Sequence, residues 1–262
     1  LYYREFAHFA DKAIPGTLKV QPPYVVYHVL AQCATVAEAA DLLKNKVTIM
    51  NLPLFGSVPT LHWAFSDRTG EMIVVEPDRD GLKVYRNTIG VMTNSPGYSW
   101  HRLNLLNYAG IRDLDYDVLD LESDRLNQCF SGSGAQGLPG DWSSPSRFIR
   151  LAFLKKYCVK GRDESQGVAN MLHLFQSAAF PLGIVRITEQ GTVTEYDKDI
   201  SPYDYTVYTS IMCGESLRFY WTTYQNQQIQ CVDMNHLKKG MKAVQFDLEQ
   251  PPNLHLLSCP EK

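Results

Sequence analysis

Hydrophobic and polar positions follow two different rhythms along this chain. Between Leu61 and Asn87 they fall into LHWAFSD, EMIVVEPD and GLKVYRN, short blocks rich in β-branched and aromatic residues. Arg68-Thr69-Gly70 and Arg79-Asp80-Gly81 separate them, and Asp80-Gly81 is a strong tight-turn pair, so the spacing predicts an antiparallel meander. A second set, GIVRIT, TVTEY, DYTVYTSIMC, LRFYWTTY and IQCVDM, predicts further strands towards the C-terminus. Helical spacing appears elsewhere. YVVYHVLAQC after Pro22-Pro23 predicts a helix with apolar residues on most faces, hence a largely buried one. Thr35-Val36-Ala37-Glu38 is a capping-box pattern that opens a second helix running to about Leu43. Ser143-Ser144-Pro145 opens another, with the proline where no backbone donor is missed. One more is predicted from about Glu164 to Ala178. With no internal repeat and no low-complexity linker, the pattern predicts a single domain over residues 1–262, of α+β class.

Two stretches break both rhythms. Ile89–His101 reads IGVMTNSPGYSWH: apolar residues around Gly90 predict a short buried strand, which stops at the turn formers Thr93-Asn94-Ser95-Pro96-Gly97. From Tyr98, helical spacing resumes. Asn94 therefore falls at a strand-to-helix corner, where a polar side chain either makes a local turn ahead of Pro96 or reaches into a cleft. Lys46–Pro59 carries Leu52, Leu54 and Phe55 in a stretch broken by Asn51, Pro53, Gly56 and Pro59. That pattern suits a core-crossing segment or the apolar wall of a pocket. The aromatic-rich start, with Tyr2, Tyr3, Phe6 and Phe9, is expected to line or cover something apolar.

Composition changes the picture mainly by exclusion. A chain of 262 residues that is 45% hydrophobic and 20% charged is an ordinary globular composition. A net charge of −3 without a long basic run leaves no electrostatic footprint for nucleic acid. No apolar run is long enough to cross a bilayer. The six cysteines form no C-x-x-C pair and no zinc pattern, and most sit in apolar sequence, which favours reduced, buried thiols and a cytoplasmic location. The acidic residues between Ile111 and Asp124 lack the glycine and terminal glutamate of a calcium loop and read as a solvated or assembly segment. Gly132–Gly137 satisfies G-x-G-x-x-G literally, but without a strand before it or a helix after it the dinucleotide reading fails.

Nucleophilic catalysis requires an activated Ser, Cys or Thr, a proton acceptor and an oxyanion-stabilising group. The seven histidines form no metalloprotease pattern, and there is no G-x-S-x-G elbow. A Cys–His dyad assembled in three dimensions stays open on these grounds.

Three ordered blocks carry a more specific signal. VMTNSPGYSWH, then GLPGDWSSPSRFIRLAF over Gly137–Phe153, then YTVYTSIMCGESLRFYWTTYQNQQI over Tyr205–Ile229 resemble successive segments of the choloylglycine hydrolase family, the bile salt hydrolases and penicillin V acylases. The resemblance runs from Tyr2 to about Phe246. It implies the four-layer αββα sandwich of the N-terminal-nucleophile (Ntn) hydrolases and hydrolysis of a linear amide C–N bond with neither metal nor cofactor.

The resemblance also implies roles. Asn94 matches the family's oxyanion asparagine, and Arg147 its arginine beside the nucleophile, where the alternative is a helix-surface ion pair. Tyr2 matches the position whose backbone N–H completes the oxyanion hole, and a tyrosine there tilts the substrate towards aromatic acyl amides. Phe6, Leu52, Leu54 and Phe55 are expected to contact the acyl group. The family's nucleophile is an N-terminal cysteine that uses its own α-amino group as base. This chain begins with Leu1, so that cysteine is expected to come from a further N-terminal segment. The family often forms tetramers, for which Arg112–Gly134 is the expected contact. The alternative is an inactive relative that binds acyl amides or serves as a non-catalytic subunit.

Overall fold

The computed structural model describes residues 1–187, 203–238 and 240–258. The chain divides after Tyr157 into two units, Leu1–Tyr157 and Cys158–Lys262.

In the first unit, β1 (Leu18–Val20) pairs in parallel with β2 (Val47–Ile49), and between them lie α1 (Val25–Gln32) and α2 (Val36–Asn45). The capping box forms: the Thr35 hydroxyl accepts from the Glu38 amide at 3.2 Å and the Glu38 carboxylate accepts from the Thr35 amide at 3.2 Å. The meander is β3 (Trp63–Ser66), β4 (Met72–Asp78) and β5 (Gly81–Tyr85), with β4 central. Its run IVVE reads as continuously buried because the strand separates two cores. Ile73 and Val75 face α1, α2, Trp63 and Phe65, whereas Met72 and Val74 face Val91, Tyr98 and Phe148. There follow α3 (Tyr98–Asn104), a hairpin of β6 (Val118–Leu121) and β7 (Asp124–Asn127), and α4 (Ser144–Tyr157).

The second unit contains α5 (Glu164–Gln176), the short pair β8 (Val185–Arg186) and β9 (Tyr203–Asp204), and an antiparallel sheet of β10 (Tyr208–Cys213), β11 (Arg218–Thr223) and β12 (Gln230–Asp233). Glu164 at the start of α5 accepts from Ser216 Oγ at 2.5 Å and Tyr220 Oη at 2.8 Å, so one carboxylate ties helix to sheet. The expected strand TVTEY lies outside the described residues. Among the described residues no helix is long and apolar enough to cross a membrane.

Two expectations need correction. The α1 helix forms, but only Val25 and Val29 are buried, while Val26, Tyr27 and Leu30 are exposed. Only the stripe carrying Val25 and Val29 joins the buried core. The Ile89–Met92 segment is not a strand. Gly90 takes φ +74°, and the backbone amides of Ile89 and Gly90 bond to the Tyr98 and Thr88 hydroxyls instead of a ladder partner. The Lys46–Pro59 stretch divides: Val47–Ile49 is the wholly buried β2, as a core-crossing segment requires, and the part beyond it projects.

Candidate active site

The corner after β5 is held by hydrogen bonds from four directions, and Asn94 receives most of them. Its backbone carbonyl accepts from Ser144 Oγ at 2.7 Å and lies 3.0 Å from His101 Nε2, which must therefore carry the proton. Its side-chain Oδ1 accepts from Arg147 Nη2 at 2.8 Å, and its Nδ2 donates to the Tyr2 carbonyl at 3.0 Å. Because a guanidinium only donates and a carbonyl only accepts, these two partners fix which way the carboxamide points. The structure thus brings Tyr2, Asn94 and Arg147 together although they lie far apart in sequence.

Each partner is itself positioned. Tyr2 bridges Leu61 as an antiparallel pair, with the flanking bonds running from Tyr3 N to Thr60 O at 2.8 Å and from His62 N to Leu1 O at 3.0 Å. In such a non-hydrogen-bonded pair the residue's own N–H and C=O both point away from the partner strand. The Tyr2 N–H is therefore turned to the side on which Asn94 meets the Tyr2 carbonyl. Arg147 stands in the first turn of α4, its Nε donating to the Trp142 carbonyl at 2.9 Å. That turn is braced by Asp141, whose carboxylate accepts from the Ser143 amide at 2.9 Å and Ser146 Oγ at 2.5 Å. The Ser143 hydroxyl first, then Ser146 and the Ser143 amide, hold the Asp141 carboxyl down at about 2. Arg150, buried one turn on, donates to the Pro139 and Asp141 carbonyls at 2.7 and 2.6 Å and so fixes the loop ahead of the helix.

Beneath the corner lies a buried polar group that the pattern of residues does not announce. Glu76, 1% exposed, accepts from the Tyr98 amide at 2.9 and 3.0 Å, and His62 Nδ1 stands 3.3 Å away. Tyr3 stacks on His62 with ring centroids 4.6 Å apart and donates to Asp78 at 2.7 Å. Burial and the Asp78 bond push the Tyr3 phenol strongly upward, so it stays protonated. Gly97 is pressed against this group: a Cβ there would lie 2.7 Å from Tyr3 Oη and 3.0 Å from Glu76 Oε2. The one readable signal was an acidic residue inside the apolar block EMIVVEPD.

The remaining predicted residues are placed differently. Phe6 is half-exposed and its ring lies 5.6 Å from that of Tyr3. Leu54 and Ser57 exchange backbone bonds at 2.8 and 3.2 Å around Phe55 (φ +50°) and Gly56 (φ +83°), a two-residue turn with both central φ positive. Phe55 is 99% exposed at its tip. The described bonds of this excursion lead to Gln21, Ala10 and Asp11; none joins Leu52, Leu54 or Phe55 to Asn94 or Arg147.

Chemically, the constellation offers hydrogen-bond donors on one side of a fixed backbone. Nδ2 of Asn94 has two protons, one committed to the Tyr2 carbonyl and the second available for an incoming oxygen. Arg147 on Oδ1 withdraws electron density from the amide and strengthens that donor.

Comparison with known proteins decides the family. The profile of "Linear amide C-N hydrolases, choloylglycine hydrolase family" matches residues 1–247. This chain belongs to the choloylglycine hydrolase family. A bile salt hydrolase/transferase of Clostridium perfringens is 35% identical over 237 residues, covering 90% of this chain and 68% of the relative. A crystal structure of a mutant conjugated bile acid hydrolase from Clostridium perfringens matches with a TM-score of 0.87 at 32% identity, covering 98% of this chain and 76% of that one. A penicillin V acylase from Agrobacterium tumefaciens matches with a TM-score of 0.62 at 20% identity, covering 88% of this chain and 62% of that one, which speaks to the fold alone. The fold is the α+β fold of the Ntn hydrolases, as the resemblance implied.

Proposed function

We propose that the chain forms the greater part of a hydrolase that cleaves the amide of conjugated bile salts. The single observation behind this reading is the convergence of the Tyr2 backbone, the Asn94 carboxamide and the Arg147 guanidinium. Two N–H donors on one side of a fixed backbone suit the oxyanion of a tetrahedral intermediate. The bile-salt substrate is supported by the names of the relatives that are about a third identical to this chain over the matched residues. Phenoxymethylpenicillin is the second substrate, supported by the tyrosine at position 2.

The nucleophile in this reading is an N-terminal cysteine outside residues 1–262. Its thiolate adds to the amide carbonyl, the oxygen taking negative charge against Asn94 and the Tyr2 N–H. The C–N bond then breaks, the amine leaving with the proton that the α-amino group took from the thiol. Water cleaves the resulting thioester, giving the carboxylic acid and restoring the thiol. Arg147 contributes positive charge that favours thiolate and a fixed Asn94. Cys33 is a poor substitute, because it packs against the core and burial raises its thiol pKa. Phe6, Leu52, Leu54 and Phe55 contact the acyl group in this reading. The chain acts as one Ntn-type domain in a cytoplasmic tetramer, with the exposed Leu119, Leu121 and Leu126 of the β6–β7 hairpin at the subunit contact.

The test is hydrolysis of glycine-conjugated bile acid and of phenoxymethylpenicillin by two polypeptides. Residues 1–262 alone should release no amine, whereas the protein extended to begin with a free cysteine should turn over. Turnover by a preparation shown by intact mass to be residues 1–262 only would overturn the mechanism and point to an internal cysteine. No turnover by either would favour an inactive relative.

A further inference from the structure

The hydrogen bonds at Asn94 divide into those made by its side chain and those made to its backbone carbonyl. The second pair comes from Ser144 and His101, neither of which enters the reaction. His101 is 2% exposed on α3, with Nε2 at 3.0 Å from the Asn94 carbonyl and 3.4 Å from Ser144 Oγ. Its ring lies flat on Phe148, with centroids 4.5 Å apart and planes at 12°, and edge-on to Trp100. The Thr93 hydroxyl closes the set, 3.1 Å from the Ser144 carbonyl and 3.0 Å from its Oγ. The α3 helix carrying His101 is in turn anchored through its first amide, Tyr98 N, to the buried Glu76.

We propose that His101, in its neutral Nε2–H form, is a positioning residue that sets the direction of the Asn94 carboxamide through the Asn94 backbone carbonyl. The inference rests on the hydrolase reading above. Three observations carry it. A peptide plane held at its carbonyl by two donors cannot rotate, so the Cα–Cβ bond that projects the carboxamide is fixed relative to α3 and α4. The imidazole is locked by stacking on Phe148, so the donor arrives at one angle only. Burial lowers the pKa of His101, and its neutral ring has one N–H, which the Asn94 carbonyl uses. An oxyanion donor depends on placement within about half an ångström, so a group that holds the backbone of Asn94 acts on kcat.

The experiment compares His101→Gln with His101→Asn in the complete protein. A glutamine amide nitrogen reaches the place of Nε2, whereas an asparagine reaches only that of Nδ1. The expected result is a kcat about tenfold lower for His101→Asn with KM within about twofold, and recovery of most of that loss in His101→Gln. Equal kcat in the two variants, or a change confined to KM, would overturn the proposal. If His101→Asn does not fold, judged by circular dichroism, Ser144→Ala serves instead. It removes the other donor to the same carbonyl and should lower kcat at constant KM; no change would overturn the proposal.

Asn94→Ala in the same assay separates this inference from the reading beneath it. If the complete protein is inactive, or Asn94→Ala costs nothing, the hydrolase reading falls. The positioning claim is then decided by the NMR signals of the Asn94 carboxamide. They should move in His101→Asn and stay near their native positions in His101→Gln; no movement in either variant would overturn it.

Discussion

Replacing Asn94 by alanine should lower kcat by about 10²–10³ and leave KM within a few-fold, because its donor matters most when the oxygen is negative. Steady-state kinetics on a glycine-conjugated bile acid would check this. Tyr2 predicts a different signature. Asn94 meets its backbone, and the residue is 59% exposed, so Tyr2→Asn should change the ratio of kcat/KM for penicillin V and bile acid without abolishing either. Phe55→Ala tests the expected acyl contact cleanly. At 99% exposure the change should move the unfolding free energy by less than about 0.5 kcal/mol. An equal effect on every substrate would remove Phe55 from the binding surface. At this scale Asn94 and Arg147 were singled out by the family resemblance of TNSP and PSRFIR, because the residues alone also allowed a local turn and a surface ion pair. Glu76 and His101 were not, because what makes them matter is a contact between segments 22 and 7 residues apart in sequence. No periodicity encodes that.

The elements around the corner predict stability effects. Gly97→Ala should destabilise by about 1–3 kcal/mol, since neither Tyr3 nor Glu76 can withdraw: one is tied to Asp78 and the other to the Tyr98 amide. Thermal or denaturant unfolding measures it. Asp141 predicts a pH dependence. Its folded pKa of about 2 lies below the ordinary 3.8. The stability it contributes is therefore fully present above about pH 3.8 and is lost as pH falls through about 2. Asp141→Ala should flatten acid unfolding in that window; an unchanged curve would mean the Ser143 and Ser146 bonds add nothing. The meander and helix starts were legible from turn pairs and from the Thr35–Glu38 box, which are local chemistry. The Ile89–Met92 segment misled because a buried, β-branched run looks the same whether its amides meet a strand or the hydroxyls of Tyr98 and Thr88. The α1 helix misled because apolar content does not say how many faces find a partner.

For the molecule as a whole, the fold class followed from ordered motifs far more than from periodicity, which allowed helices and antiparallel strands but many ways of layering them. The chain belongs to the choloylglycine hydrolase family, and Tyr2, Asn94 and Arg147 meet at one corner of it. The most direct test is intact mass spectrometry of the complete protein during turnover of a conjugated bile acid, native beside Asn94→Ala. A transient acyl adduct on the N-terminal cysteine of the native protein is expected, with far slower adduct formation in Asn94→Ala. An adduct on Cys33 or another internal cysteine, or equal rates in the two proteins, would contradict it.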